Sequence, residues 1–168
     1  DPAHLRFKQL LEADRLFNLN DTLSESDTRS KLIDPLFKEV LGWSESEIRR
    51  EKPVTKGYVD YVLGADYSYL LIEAKRAHPR FQLSAANKPR KLSLAGPHLL
   101  GNAKVRPHIH QAQGYASDLG VQFCLVTNGT QLVIFRPYLP GRSWRQGMAV
   151  VYHDHADMDG SFAELYDL

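Results

Sequence analysis

The sequence predicts an α/β fold in which a mixed central β-sheet is flanked by helices. Three observations support this prediction: two amphipathic helical patterns open the chain, three strand patterns follow, and another helix precedes a hairpin of two strands. This alternation of helices and strands is typical of a mixed sheet. At 168 residues, with 43% hydrophobic and 24% charged residues, the chain (1–168) fits one globular domain.

The helical segments show both apolar spacing and end signals. The stretch "AHLRFKQLLEADRLF" predicts a first helix, and residues 24–43 predict a second. Ser24 and Asp27 have the spacing of a capping box, and Gly42 stands where a helix ends. Further along, "PHIHQAQGYASDLG" predicts a third helix that ends at Gly120.

The strand patterns lie between and after these helices. "EIRREKPV" predicts an edge strand, because Pro53 cannot donate a ladder hydrogen bond. Two more strands lie in "GYVDYVLGADYSYLLIEAKR", joined across "GADYS". "VQFCLVTNGTQLVIFRP" predicts a hairpin around an Asn-Gly turn, "GMAVVYH" a further strand, and the acidic tail another helix. Residues 77–107 show no periodicity, which predicts a long loop.

Charge is distributed unevenly along the chain although the net charge is only +1. Between Glu73 and Asp118 there is no acid but eight Lys or Arg, whereas the last eighteen residues hold five acids and no Lys or Arg. This asymmetry favours one surface that faces a polyanion. A long loop merely solvated by its cations is an equal alternative. The candidate phosphate contacts are Arg80, Lys88, Arg90 and Lys91.

The sequence also indicates where the protein works. It holds no apolar run near eighteen residues and no signal-peptide pattern, so neither a membrane span nor secretion is expected. The only cysteine, Cys124, lies in an apolar run and excludes an intrachain disulfide, which suits a cytoplasmic protein. The chain opens on Asp-Pro and ends inside "SFAELYDL", from which we expect a longer parent protein.

Three charged residues interrupt the apolar strands of the second hairpin pattern: Asp60, Glu73 and Lys75. Burying them unpaired would cost several kcal/mol. Because side chains alternate along a strand, Glu73 and Lys75 project from one side, roughly 6.6 Å apart. A four-residue hairpin loop would place Asp60 opposite Leu71, on that same face and about 7 Å from Glu73. Two such carboxylates can bind Mg²⁺, and Lys75 would then lie beside an attacking water or a phosphate.

Two helices offer further candidates for this site. Stepping back from Ile33 along the core face of the second helix leads to Glu25, which would face the strand site; an acid that only complements the helix dipole is the alternative. Gln111 and Tyr115 lie four residues apart on the third helix and share a face. Gln111 is unusual for a core stripe and natural for a group that touches water, phosphate or Lys75.

These residues resemble a known family. Asp60, twelve intervening residues and "EAK" after an apolar strand look like the core of the PD-(D/E)xK nucleases, with Val59 in place of the motif's nominal proline. Gln111 and Tyr115 match the QxxxY motif of the RecB-like and restriction branches. From Ser24 to about Pro137 the chain is similar to the N-terminal nuclease domain of type I restriction enzyme R subunits. The long basic segment 77–107 departs from that pattern.

The resemblance implies a restriction-endonuclease-like core with the order α-βββ-α-β and a DNA-cleaving activity in bacterial or archaeal defence. It makes Asp60, Glu73 and the Ala74 carbonyl ligands of Mg²⁺ or Mn²⁺, with Glu25 near the metal. It makes Lys75 catalytic and Gln111 and Tyr115 auxiliary. Two other functions stay open: a catalytically silent module that binds nucleic acid or a partner protein, and a structural salt-bridge cluster in a protein scaffold. Further domains, subunits or copies of the chain are compatible with all three.

Overall fold

The computed structural model describes residues 1–17, 23–83 and 87–167. Helix α1 spans Pro2–Phe17, and α2 (Glu25–Thr28) continues without a break into π-helical turns at Arg29–Ile33 and Leu36–Val40. The remaining helices of the described ranges are α3 (Arg106–Leu119), α4 (His155–Gly160) and α5 (Phe162–Tyr166), with 3₁₀ turns at Glu45–Glu47 and Trp144–Gln146. Each of these helices is too short or too polar to serve as a membrane span.

Seven strands form one mixed sheet in the order β1-β2-β3-β5-β6-β7-β4. Their pairing is antiparallel except between β3 and β5, which run parallel. The strands are β1 (Ile48–Val54), β2 (Gly57–Leu63), β3 (Leu70–Ala74), β4 (Lys91–Ser93), β5 (Phe123–Thr127), β6 (Leu132–Phe135) and β7 (Met148–Tyr152). The mixed sheet and the order helix, three antiparallel strands, helix, parallel strand are therefore confirmed.

Local signals fix the ends of the helices that carry site residues. The Ser24 side chain accepts a hydrogen bond from the Asp27 N–H, and the Asp27 carboxylate accepts one from the Ser24 N–H, so the predicted capping box is present. Gly120 ends α3 in the left-handed conformation with φ +64°. Glycine adopts that conformation at little cost, which explains the stop.

The sheet buries a hydrophobic cluster on each face. Side chains of α1, the second helix, α4 and α5 pack on one face with Tyr61 and Ile72. Helix α3, Phe81, Leu83 and residues 94–105 pack on the other face with Val62 and Leu71. Because side chains alternate, Glu73 and Lys75 follow Leu71 toward the α3 face.

Two sequence-based expectations about the strands are wrong. Leu63 pairs with Leu70 and Val62 with Leu71, so residues 64–69 form a six-residue connection and Asp60 does not lie opposite Leu71. The pairing of β2 with β3 ends at Tyr61 and Ile72, one residue before Asp60. The expected loop 77–107 also contains β4, which pairs with the edge of β7.

Candidate functional site

Glu73 is the centre of the site and one of the few buried charged residues of the described chain, with 2% of its surface exposed. The Lys75 ammonium donates to Glu73 Oε1 at 2.5 Å. The second carboxylate oxygen, Oε2, is buried and has no hydrogen-bond partner. Lone buried carboxylate oxygens are costly, so this position favours a positively charged or hydrogen-bonding ligand.

Burial and neighbouring charges alter the protonation of this pair. Burial is the main cause that raises the pKa of Glu73; Lys75 opposes the rise, the carboxylates of Asp60 and Glu25 add to it, and the net value is about 7. Burial by itself would lower the pKa of Lys75, but the hydrogen bond to Glu73 and the charges of Glu73, Glu25 and Asp60 raise it on balance. Lys75 therefore stays protonated near neutral pH, while Glu73 can exchange a proton there.

Asp60 is held between the backbone of β3 and the second helix. Its Oδ2 accepts the Ala74 N–H at 2.8 Å, and its Oδ1 lies 3.5 Å from Arg29 Nη1. Arg29 also donates to Glu51 Oε1 at 3.1 Å and lies over the Tyr61 ring, 5.1 Å from its centroid. The sequence does not predict this contact between Arg29 and Asp60, because it depends on how the second helix docks on the sheet.

Glu25 reaches the site from the start of the second helix. The buried Thr28 side chain accepts a hydrogen bond from the Ala77 N–H at 3.1 Å, which ties this helix to the chain just after Lys75. Glu25 consequently lies close enough to influence the pKa of both Glu73 and Lys75.

Gln111 and Tyr115 share a face of α3. Gln111 Nε2 donates to the Tyr115 hydroxyl at 3.2 Å. That hydroxyl packs against β2: a Cβ atom built on Gly57 would lie 3.1 Å from it. Among the described residues, the hydrogen bond of Gln111 goes to Tyr115 and not to Glu73 or Lys75.

A basic cleft of about 470 Å³ opens beside Lys75. We use this name for the space lined by Glu25, Lys75, Arg76, His78, Pro79, Arg80, Phe81, Lys104 and His108. Burial lowers the pKa of His108, and the Lys75 charge lowers it further, so the imidazole lies near the ammonium. The sequence-based candidates for phosphate contact included Arg80 but neither Lys104 nor His108.

The other three candidate phosphate contacts lie in different surroundings. Arg90 donates to Asp157 at 2.8 Å, to the Val151 carbonyl and Ser161 hydroxyl at 2.7 Å each, and stacks on Tyr152 at 3.8 Å. Lys88 pairs with Asp154. Lys91 is exposed on β4. Arg80 alone among the four lines the basic cleft.

The side chains around Glu73 show whether the site could bind a metal ion. Within residues 1–17, 23–83 and 87–167, no three His, Cys, Asp or Glu side chains are grouped closely enough to hold an ion. The carboxylates of Asp60 and Glu25 both act on the pKa of Glu73, and Asp60 accepts the Ala74 N–H, so these are the oxygen-bearing groups around Glu73. Oxygen donors of this kind fit Mg²⁺, which keeps waters and needs only one or two carboxylates.

Comparison with known proteins gives a match to a solved structure and to no family model or curated protein. One solved structure is similar over 84% of this chain, with 20% sequence identity and a TM-score of 0.43. It is a fragment of a protein from Vibrio vulnificus YJ016 described as an HsdR subunit of a type I restriction enzyme, and the match covers 26% of that chain.

Proposed function

We propose that this chain is a metal-dependent endonuclease domain that hydrolyses phosphodiester bonds in DNA, as part of a restriction or anti-phage system. The observation that carries the proposal is the buried Glu73 carboxylate, with one oxygen bound by Lys75 and the other without a partner. A lone buried oxygen lowers stability, and strongly perturbed carboxylates cluster at functional sites.

The ion that fits this arrangement is Mg²⁺, with Mn²⁺ as a substitute. The carboxylates of Asp60 and Glu73 and the carbonyl of Ala74 would hold it, and Glu25 adds negative charge nearby. When bound, the ion would supply Lewis acidity toward a phosphate oxygen.

Lys75 is the residue that we assign to the reacting phosphate. Its ammonium is fixed by Glu73 and lines the basic cleft, so it can approach a phosphate that enters there. Hydrolysis joins a water oxygen to phosphorus while a P–O ester bond breaks, and negative charge builds on the phosphate. A fixed ammonium stabilises that charge and orients the attacking water. Gln111 stays an auxiliary candidate, held by Tyr115.

The basic cleft is the proposed entry for DNA. Arg80, Lys104 and Lys75 line it together with His108, and Glu25 is its only acid among the lining residues. Phosphates are bound by such clusters through charge, with little dependence on base sequence.

One observation favours a second function, a catalytically silent nucleic-acid-binding module. Arg29 lies near Asp60 and Lys75 is bound to Glu73, so each carboxylate already faces a cation of the chain. If these ion pairs persist in the presence of DNA, the site binds phosphate and performs no hydrolysis.

Supercoiled plasmid distinguishes the two functions. The chain should nick or linearise plasmid with Mg²⁺ or Mn²⁺ and leave it intact with EDTA. Lys75→Ala should reduce the rate at least ~100-fold while DNA binding persists, because the ammonium acts on charge that develops in the transition state. Lys91→Ala is the matched control, an exposed lysine on β4 outside the basic cleft. Binding without metal-dependent cleavage by the wild type would establish the silent module instead.

A further inference from the structure

The face of the sheet that carries α1 has a groove that the described helices leave open. This sheet groove has a volume of about 500 Å³ and crosses β3, β5, β6 and β7. Its floor includes Leu125, Ile134 and Val150. The end of the second helix, with Leu41, lines the groove together with Leu165 of α5. It shares no lining residue with the basic cleft.

The rim of the sheet groove has the composition of a protein-binding surface. Trp43 stacks on Tyr69 at 6.4 Å, Tyr69 contacts Phe123 edge-on at 5.4 Å, and Met148 is 55% exposed. Trp, Tyr, Met and Arg are enriched where proteins bind one another.

Two arginines give the sheet groove a charge preference. Arg136 and Arg142 line it and are exposed, and neither has an ion pair with the described residues. Arg136 lies over the Phe123 ring at 5.3 Å, so its guanidinium is held at the rim. The single acid of the lining is Asp167. A bound partner should therefore carry carboxylates at the arginine side.

The geometry selects a helix as the occupant. The floor is formed by strand faces, while the free strand edges of the sheet belong to β1 and β4. The groove floor offers no backbone ladder, so a bound segment must satisfy its own backbone hydrogen bonds, as a helix does. Four adjacent strands span about 14 Å. A helix of about ten residues covers that distance.

We propose that the sheet groove binds an amphipathic helix of another protein, with Leu-like residues on the floor and Asp or Glu opposite Arg136 and Arg142. This docking function is independent of the nuclease proposal, because it uses a separate surface and needs neither metal nor DNA.

A display library of helical peptides about 15 residues long tests the proposal. The apolar positions are fixed at helical spacing and all others are randomised. Selection against the whole chain should enrich peptides with acids at positions that face the arginines. Synthesised as fluorescent probes, these peptides should bind saturably, and Arg136→Glu with Arg142→Glu should weaken them at least ~10-fold through charge repulsion.

Arg145→Glu is the matched control. Arg145 is also exposed and stacked on an aromatic ring, Trp144 at 4.8 Å, but does not line the sheet groove. Its replacement should leave peptide affinity unchanged. Melting curves of each variant ensure that folded proteins are compared.

Four results would overturn the proposal. The first is that no peptide is enriched, and the second is that the Arg136→Glu and Arg142→Glu double variant binds the peptides as tightly as the wild type. The third is dimerisation of the chain that Met148→Glu abolishes. The fourth is that the groove binds dodecanoate but no peptide. The third would assign the groove to a second copy, and the fourth to a small amphiphile.

Discussion

Two clusters of buried or half-buried charge stand on this sheet, and they are built differently. Around Arg90, both carboxylate oxygens of Asp157, the Val151 carbonyl and the Ser161 hydroxyl accept hydrogen bonds. The guanidinium also stacks on Tyr152. Around Glu73, one oxygen accepts a bond from Lys75 and the other has no partner.

The difference separates a structural role from a functional one. The Arg90 cluster joins β4 to α4 and α5 and has compact, complete hydrogen bonding, as a stabilising network requires. The Glu73 cluster places two carboxylates near each other, and burial raises the pKa of Glu73 to about 7. This difference supports the proposal that the Glu73 cluster binds a cation, while the Arg90 cluster stabilises the fold.

The largest expected effect is on stability, at the complete cluster. Arg90→Ala removes the guanidinium from the Asp157 carboxylate, which keeps the His153 N–H, and should lower the free energy of unfolding by about 3–5 kcal/mol. Urea denaturation measures this change. Lys91→Ala, one residue along β4 and exposed, should change the value by less than about 0.5 kcal/mol. Equal effects of the two substitutions would mean that Arg90 is a surface cation, as the sequence suggested.

The incomplete cluster should respond to pH in the opposite sense to an ordinary paired carboxylate. Since folding raises the pKa of Glu73 from 4.5 to about 7, the folded state binds the proton more tightly. The associated stability is present below pH 4.5 and is lost as pH rises through about 7. In EDTA, the free energy of unfolding of the wild type should therefore fall between pH 5 and pH 8 by roughly 2 to 3 kcal/mol more than that of Glu73→Gln.

Urea denaturation of both proteins across this range measures the difference. Parallel pH curves for the wild type and Glu73→Gln would show that the carboxylate is not destabilised by burial, and the comparison between the two clusters would fail.

A divalent ion should complete the Glu73 cluster. Mg²⁺ at ten times its Kd stabilises the folded chain by about 1.4 kcal/mol through mass action. The shift in Tm should be larger at pH 8 than at pH 6, because the ion requires the deprotonated Glu73. Asp60→Ala should abolish the shift, while Glu51→Ala should preserve it, although both acids contact the same Arg29 nitrogen. A shift that survives Asp60→Ala would place the ion elsewhere.

Periodicity was enough to predict the mixed sheet, but not the pairing of its second and third strands. The six-residue connection 64–69 replaced the expected four-residue turn and shifted the register of β2 against β3 by two residues. The three-residue strand β4 was not predictable, because so short an edge strand has no pattern of its own and is defined by its pairing with β7.

The charge pattern was informative but open to two interpretations. The cationic segment and the acidic tail predicted a surface for a polyanion. In the structure, two cations of that segment instead form ion pairs with acids of the tail: Lys88 with Asp154 and Arg90 with Asp157. The partners lie more than sixty residues apart, so only the tertiary fold brings them together.

The smallest expected effect is a change in the salt dependence of DNA binding when cations of the basic cleft are replaced. Each phosphate neutralised contributes about 0.9 to the slope of log affinity against log salt. Arg80→Gln with Lys104→Gln removes two cations of the basic cleft and should flatten the slope by roughly two units, equally for every duplex sequence. Lys88→Gln with Lys91→Gln is the matched pair, and it should flatten the slope by less than about one unit, because Asp154 already neutralises Lys88. Binding isotherms on one short duplex at several salt concentrations decide between the pairs. If the second pair has the larger effect, DNA runs along β4, and the cleft beside Lys75 is not its path.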